Sequence, residues 1–100
     1  MDLINHKTFR EFIILSCLQH NPEGLNIHQL LSALNEFFSV DEVELFLALS
    51  KLLKENRIQG QNNAEKMQVF YILTKDGKQA CQSYRLMWDG LQDKLDKLVK

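Results

Sequence analysis

The chain is short of several residue types, and each shortage excludes a class of protein. It has one proline (Pro22) and four glycines in 100 residues, so fibrous and linker-rich architectures are excluded. No stretch approaches 18 consecutive apolar residues, so no transmembrane helix is predicted. The start of the sequence lacks the basic and apolar regions of a secretion signal. We therefore expect a cytoplasmic protein.

The chain has only two cysteines, Cys17 and Cys81, which form neither a CxxC pair nor a disulfide framework. A metal site would have to combine Cys17 with His20 and with His28 after the next turn. Cys17 falls within an apolar helix face, so burial as a small apolar residue is the better interpretation. No Ser/His/Asp set and no glycine-rich phosphate loop is recognisable. The sequence predicts no enzyme, no cofactor and no metal.

Positive charge is missing from a long stretch in the middle of the chain. Residues 26–49 contain no Lys or Arg, although the net charge of the whole chain is only −1. The carboxylates of this stretch are Glu36, Asp41, Glu42 and Glu44. Basic surface is therefore confined to residues 50–60, the hairpin that follows and the last helix. This distribution excludes a uniformly basic nucleic-acid surface.

The first half of the chain predicts helices joined by short turns. Residues 8–19 are apolar on most sides, and the cluster around Pro22 ends this first helix. Asn26 with Gln29 has the form of a capping box for a second helix that runs through Phe38. Ser39 with Glu42 repeats that pattern one residue later. The second and third helices would then be joined by a tight turn, as a helix-turn-helix requires.

The third helix is predicted over about residues 40–56. Asn56 is suited to a left-handed C-cap because asparagine tolerates positive φ. Six apolar residues are predicted to face inward or sideways: Val43, Leu45, Phe46, Leu49, Leu52 and Leu53.

The second half predicts a hairpin and one long helix. Ile58 begins a short strand, residues 60–66 are polar and turn-rich, and residues 67–73 alternate as a second strand, so the pair forms a wing. Thr74 is a good N-cap for a helix that ends near Leu98. We predict one compact domain of mainly α class: a winged helix-turn-helix over residues 1–74 and a C-terminal dimerisation helix over residues 75–100.

The last helix carries a regular heptad stripe. Its members are spaced 3, 4, 3, 4 and 3 residues apart: Cys81, Tyr84, Trp88, Leu91, Leu95 and Leu98. Such a stripe predicts a helical partner, and an identical helix from a second chain is the simplest one. A drug-like ligand pocket at Tyr84 and Trp88 is the alternative, and a packed dimer seam is the preferred interpretation.

Two motifs resemble the PadR-like family of winged-helix transcriptional regulators. Residues 45–58 are similar to the family pattern LYPALKRLEEEGLI, with Asn56 where the family often has glycine. Residues 71–77, Tyr-Ile-Leu-Thr-Lys-Asp-Gly, match its YxLTxxG element, and Trp88 lies where its dimer helix often carries tryptophan. The resemblance covers roughly residues 10–98. The chain departs from the family at Leu25-Asn26-Ile27 and in the acidic run 41–44.

The resemblance implies a homodimeric DNA-binding regulator, expected to be a repressor, whose third helix enters the major groove of double-stranded DNA. The residues predicted to contact DNA are Ser39, Glu42, Lys51, Lys54, Arg57, Asn62, Asn63 and Lys66. Lys75 and Lys78 are further candidates for phosphate contacts.

The acidic start of the third helix leaves more than one interpretation open. Carboxylates there complement the helix dipole, and one can accept a hydrogen bond from cytosine in the major groove. However, carboxylates oppose the phosphate contacts that supply most affinity for DNA. The alternative function is a winged-helix interaction module whose acidic third helix binds a basic protein or antagonises another regulator.

Overall fold

The computed structural model describes residues 6–37 and 39–98, with only the backbone of His6. The described residues form four helices and two strands. In chain order these are α1 (His6–Gln19), α2 (Ile27–Leu34), α3 (Glu42–Lys54), β1 (Ile58–Asn63), β2 (Gln68–Leu73) and α4 (Lys75–Leu98). This order is that of a winged helix-turn-helix. Within the described residues, no helix is long and apolar enough to cross a membrane.

The core forms around α1, which packs against α2, α4 and β2. Because α1 is apolar on most sides, Ile14, Leu15 and Leu18 are all buried. The other helices and the first strand contribute the remaining fully buried side chains: Leu30, Leu34, Leu45, Leu49, Leu52, Ile58 and Cys81. Burial of a side chain of this size stabilises the fold by about 1.5 to 3 kcal/mol.

The second helix begins as predicted and ends earlier. Asn26 and Gln29 form a reciprocal capping box, with Gln29 N donating to Asn26 Oδ1 at 2.8 Å. The helix ends at Leu34 rather than near position 38, and Phe38 itself lies outside the described residues. Because α3 begins at Glu42, more residues separate the two helices than predicted.

The N-cap of α3 is Asp41 with Glu44, so the predicted cap of Ser39 with Glu42 is wrong. Glu44 N donates to Asp41 Oδ1 at 2.8 Å. The reason for the two-residue shift lies in the turn, where Val40 is buried and its N–H donates to Asn35 Oδ1 at 3.1 Å. Because Val40 packs against the core, the helix begins after Val40, and Ser39 is exposed.

The C-terminus of α3 has the predicted left-handed residue, since Asn56 has a φ of 60°. The N–H of Arg57 donates to Leu52 O at 2.9 Å, and the N–H of Asn56 donates to Leu53 O at 3.0 Å. This pair of bonds is a Schellman motif, which satisfies the last carbonyls of the helix and turns the chain into β1.

The wing is an antiparallel hairpin whose register pairs Ile58 with Leu73 and Asn63 with Gln68. Its loop is therefore residues 64–67, shorter than the polar loop predicted over residues 60–66. Met67 has a φ of 52° and lies in the loop, where 89% of it is exposed, rather than in the predicted strand. Leu25 extends the hairpin by a β-bridge to Tyr71. Leu25 N donates to Tyr71 O at 3.1 Å, and Tyr71 N donates to Leu25 O at 2.8 Å.

Candidate nucleic-acid interface and dimer surface

The outer face of α3 is apolar as well as acidic. Val43 is 66% exposed, Phe46 58% and Leu47 63%, and Glu42 is also exposed. The prediction that Val43 and Phe46 face inward or sideways is therefore wrong, and Leu53 is also 41% exposed. Four other residues, Leu45, Ala48, Leu49 and Leu52, fill the buried side of the helix. Because an α-helix has 3.6 residues per turn, residues 43, 47, 50 and 54 face away from the core.

The residues predicted to contact DNA divide into two sets. Lys54 is exposed at the C-terminal end of α3, and Asn62 and Lys66 are exposed on the wing. Ser39 and Glu42 are also exposed, beside the acidic start of α3. Lys66 lies over the ring of Phe70, with Nζ 5.4 Å from the centroid. Asn63 Oδ1 accepts from Lys66 N at 3.0 Å, so this side chain shapes the wing loop.

Lys51 and Arg57, the other predicted contacts, are engaged within the subunit. Lys51 Nζ lies 2.6 Å from Oε1 of the buried Glu11. Arg57 Nη1 donates to the Tyr84 hydroxyl at 3.0 Å, and that hydroxyl donates to Glu11 Oε2 at 2.9 Å. Arg57 is thus directed towards α4 and is not available as a free phosphate ligand. Glu11 is not among the residues predicted from the sequence, because nothing near it in the chain indicates its partners.

Two of the side chains that contact Glu11, Lys51 and Tyr84, have raised pKa values. The hydrogen bond from Lys51 to Glu11 raises the pKa of the lysine. Burial raises the pKa of the Tyr84 phenol, and its hydrogen bond to Glu11 acts in the same direction. Because the folded state favours the neutral phenol, the stability it contributes is present below the unfolded pKa of about 10. It is lost as the pH rises through the higher folded value.

Removing the Tyr84 hydroxyl tests this network. We expect Tyr84→Phe to lower the free energy of unfolding by about 1 to 2 kcal/mol, because a buried carboxylate loses a donor. The variant should also lose less stability than the unmodified protein as the pH rises above about 10, since it lacks the titrating phenol. Urea unfolding at a series of pH values measures both effects. Tyr71→Phe is the matched control, and equal losses in the two variants would contradict the assigned role.

The heptad stripe of α4 is split between two environments. Cys81 is buried within the subunit, so its predicted place in a dimer seam is wrong. Tyr84 and Trp88 also pack against α1 of their own subunit, with ring centroids 6.3 Å from Phe12 and 6.0 Å from Phe9 respectively. This happens because α1 crosses the first half of α4 and supplies the aromatic partners that the stripe needs.

The second half of the stripe is more open. Leu91 is half-buried, whereas Leu95 is 51% exposed and Leu98 78% exposed. A helix of 24 residues is about 36 Å long, which is consistent with the longest dimension of 55 Å against 28 and 21 Å for the other two. Leu91, Leu95 and Leu98, together called the distal stripe below, are the part of the predicted seam that a second subunit can reach.

The aromatic residues between α1 and α4 line a small, partly open cavity. It is lined by Thr8, Phe9, Phe12, Tyr84 and Trp88 and has a volume of about 10 Å³. This is roughly the room that one water molecule needs. One subunit by itself therefore offers no room here for the drug-like ligand considered from the sequence.

The candidate metal ligands have other surroundings. His20 Nδ1 lies 2.8 Å from Ser16 O, and His28 is exposed on α2. Burial raises the pKa of the Cys17 thiol, which disfavours the thiolate that binds metal. Among the described residues, no group of three His, Cys, Asp or Glu side chains is placed to hold a metal ion.

Solved structures with the same architecture include transcription regulators. A PadR family regulator from Clostridium difficile R20291 is 18% identical, with 92% of this chain and 99% of that one covered and a TM-score of 0.81. A transcriptional regulator from Clostridium thermocellum is 20% identical, with 97% and 99% covered and a TM-score of 0.80. A PadR-like regulator from Bacillus cereus is 21% identical, with 90% of each chain covered and a TM-score of 0.79.

These similarities establish the fold. No protein-family model matches the chain, and no curated protein matches its sequence. The predicted mainly helical fold with a hairpin wing is confirmed, and so is the resemblance to PadR-like regulators at the level of the fold. The chain is a winged-helix protein with the architecture of PadR-like transcription regulators.

Proposed function

We propose that the chain is a homodimeric winged-helix transcriptional regulator that acts in the cytoplasm on double-stranded DNA. One observation carries the proposal: a winged-helix fold, shared with PadR-like regulators over nearly the whole chain, continues into a long helix with an apolar distal stripe. Each subunit contributes one α3 and one wing. Two such units joined through α4 would present their helices to successive major grooves, about 34 Å apart on B-DNA.

Contacts with the phosphate backbone would come from the exposed lysines. Lys54 lies at the outer face of α3 and Lys66 on the wing, where Asn62 is also exposed. Lys75 and Lys78 are exposed in the first turn of α4. Since the start of α3 is acidic, we expect moderate affinity with a steep dependence on salt. A dimer bound across a promoter would repress transcription by occupying the site.

The lysines provide the test of DNA binding. We expect Lys54→Ala with Lys66→Ala to weaken DNA binding about tenfold or more at low salt, and to reduce the slope of log affinity against log salt by about one per lost contact. The measurement is fluorescence anisotropy with a duplex obtained by selection from random DNA. Lys94→Ala with Lys97→Ala removes the same charge from the far end of α4 and is the matched control. If the slope of log affinity against log salt were equal in the two double variants, Lys54 and Lys66 would not be in contact with DNA.

One observation favours a second candidate function. The N-terminal half of α3 combines exposed apolar side chains with carboxylates, which suits a protein partner better than DNA. In this candidate the chain is a winged-helix interaction module that binds a basic protein.

A further inference from the structure

A shallow groove lies between the start of α2 and the start of α3. It is lined by Ile27, Glu42, Val43 and Phe46, which together are called the α2–α3 groove below. Its two large exposed side chains, Val43 and Phe46, are neighbours one helical turn apart. Leu47 continues the apolar surface on the outer face of α3. Exposed apolar residues that lie next to one another indicate an interaction site, whereas scattered ones need no explanation.

The fold itself gives these side chains no structural role. The buried side of α3 is already filled by leucines and Ala48, while Val43, Phe46 and Leu47 are each more than half exposed. Their exposure therefore does not follow from the packing of the subunit. A partner that covers them would remove this apolar area from water, which favours association.

The charge around the groove selects the kind of partner. Glu42 lines the groove, Asp41 precedes it as the N-cap of α3, and residues 26–49 contain no Lys or Arg to neutralise them. Glu44 is paired with Arg10 at 3.4 Å, whereas Glu42 is in no ion pair among the described residues. The groove therefore combines an apolar floor with net negative charge.

We propose that the α2–α3 groove docks a basic amphipathic helix from another protein. Apolar side chains of that helix would cover Val43 and Phe46, and its Lys or Arg side chains would meet Asp41 and Glu42. A second copy of this chain fits less well, because a two-fold contact would bring the carboxylates of both copies together. This inference names the partner chemistry of the second candidate function and rests on that candidate.

The groove lies on the helix that a winged-helix regulator places in the major groove. A docked basic helix would occupy the same face, so binding of the partner and of DNA would exclude each other. That consequence also depends on the proposed DNA binding, whereas the docking itself does not. A protein partner of this kind would act as an antagonist of the regulator.

The test uses a synthetic peptide as the probe and contains no DNA. A fluorescein-labelled Leu/Lys amphipathic helix of about 14 residues, four helical turns, is titrated with the full chain and followed by anisotropy. We expect saturable binding that Val43→Ser with Phe46→Ser weakens about tenfold or more, because two apolar contacts are lost. Both positions are more than half exposed, so the variant should keep the fold, which circular dichroism checks.

Control variants separate the contribution of apolar contacts to peptide binding from the contribution of charge. Met67→Ser removes an 89% exposed apolar side chain from the wing loop and should leave binding unchanged. Glu42→Gln should weaken binding and make it less dependent on salt. A Ser/Lys peptide of equal charge should bind more weakly than the Leu/Lys peptide.

Each contrary outcome identifies a different error. Equal affinity of the unmodified chain and the Val43/Phe46 variant would overturn the proposal, as would equal affinity for the two peptides. A change of sedimentation in the Val43/Phe46 variant without peptide would show that a second copy covers the groove, which also overturns it. Loss of DNA binding in the lysine variant leaves the docking result unaffected, so failure of one function is distinguishable from failure of the other.

Discussion

Replacing Leu91 and Leu95 with serine is expected to convert the proposed homodimer into monomers. These residues belong to the distal stripe, beyond the part of α4 that packs on α1 through Trp88. If each of the four leucines in a dimer contributes about 1 kcal/mol, their loss weakens association about a thousandfold. Sedimentation velocity at micromolar concentration measures the change directly.

The controls use the same stretch of helix. Asp93→Ser with Lys97→Ser changes two exposed residues on the side of the helix away from the stripe and should leave the proposed dimer intact. Trp88 is unsuitable as the principal test because it also contacts Phe9 within the subunit, so its loss would affect stability as well. A leucine double variant that sediments like the unmodified dimer would place the contact between subunits elsewhere.

Gly77→Ala is expected to destabilise the subunit by about 3 kcal/mol, near the upper range for overpacking. A Cβ added at Gly77 would lie 1.9 Å from the carbonyl oxygen of Arg57, which is backbone and cannot move aside as a side chain can. That carbonyl accepts from Thr74 N at 3.1 Å, so the junction between the hairpin and α4 would have to open. For a domain of this size the melting temperature should fall by roughly 15 °C.

A substitution at Gly90, on the same helix, is expected to have the opposite effect on stability. Among the described residues, nothing lies within 4 Å of a Cβ built at Gly90. Gly90→Ala should therefore stabilise the protein by up to about 1 kcal/mol, because alanine favours the helix and glycine does not. Thermal unfolding of the two variants beside the unmodified chain makes the comparison. Similar melting temperatures for both would refute the close approach at Gly77.

The same geometry explains part of the motif recognised in the sequence. Thr74 Oγ1 accepts from Gly77 N at 3.0 Å and donates to Asn56 O at 2.5 Å, so it caps α4 and joins it to the end of α3. Gly77 allows α4 to pass close to Arg57. The threonine and the glycine of the Leu-Thr-x-x-Gly element therefore have structural roles at a junction between elements.

Local signals in the sequence predicted most of the elements. The capping pair of Asn26 and Gln29 and the left-handed Asn56 are confirmed, because both depend on residues within a few positions of each other. The cap of α3 was predicted two residues too early. Two candidate caps lie close together there, and the burial of Val40 selects between them.

The candidate site was predicted less completely. Lys51 and Arg57 have the sequence pattern of surface cations, but the structure pairs them with Glu11 and Tyr84. Val43 and Phe46 have the pattern of core residues, but the buried side of α3 is filled without them. DNA contact by Ser39, Glu42, Lys54, Asn62, Asn63 and Lys66 stays a prediction.

The sequence by itself determined the helices, the wing and their order, because caps, turns and hydrophobic periods act over a few residues. Only the tertiary structure determined which half of the α4 stripe stays exposed. It also determined that the side chains of Lys51 and Arg57 are engaged within the subunit. Those outcomes depend on residues far apart in the chain: Lys51 meets Glu11 across 40 positions, and Tyr84 meets it across 73. A hydrophobic period within one helix indicates that its apolar face will be covered. The packing of the other helices and strands determines what covers that face.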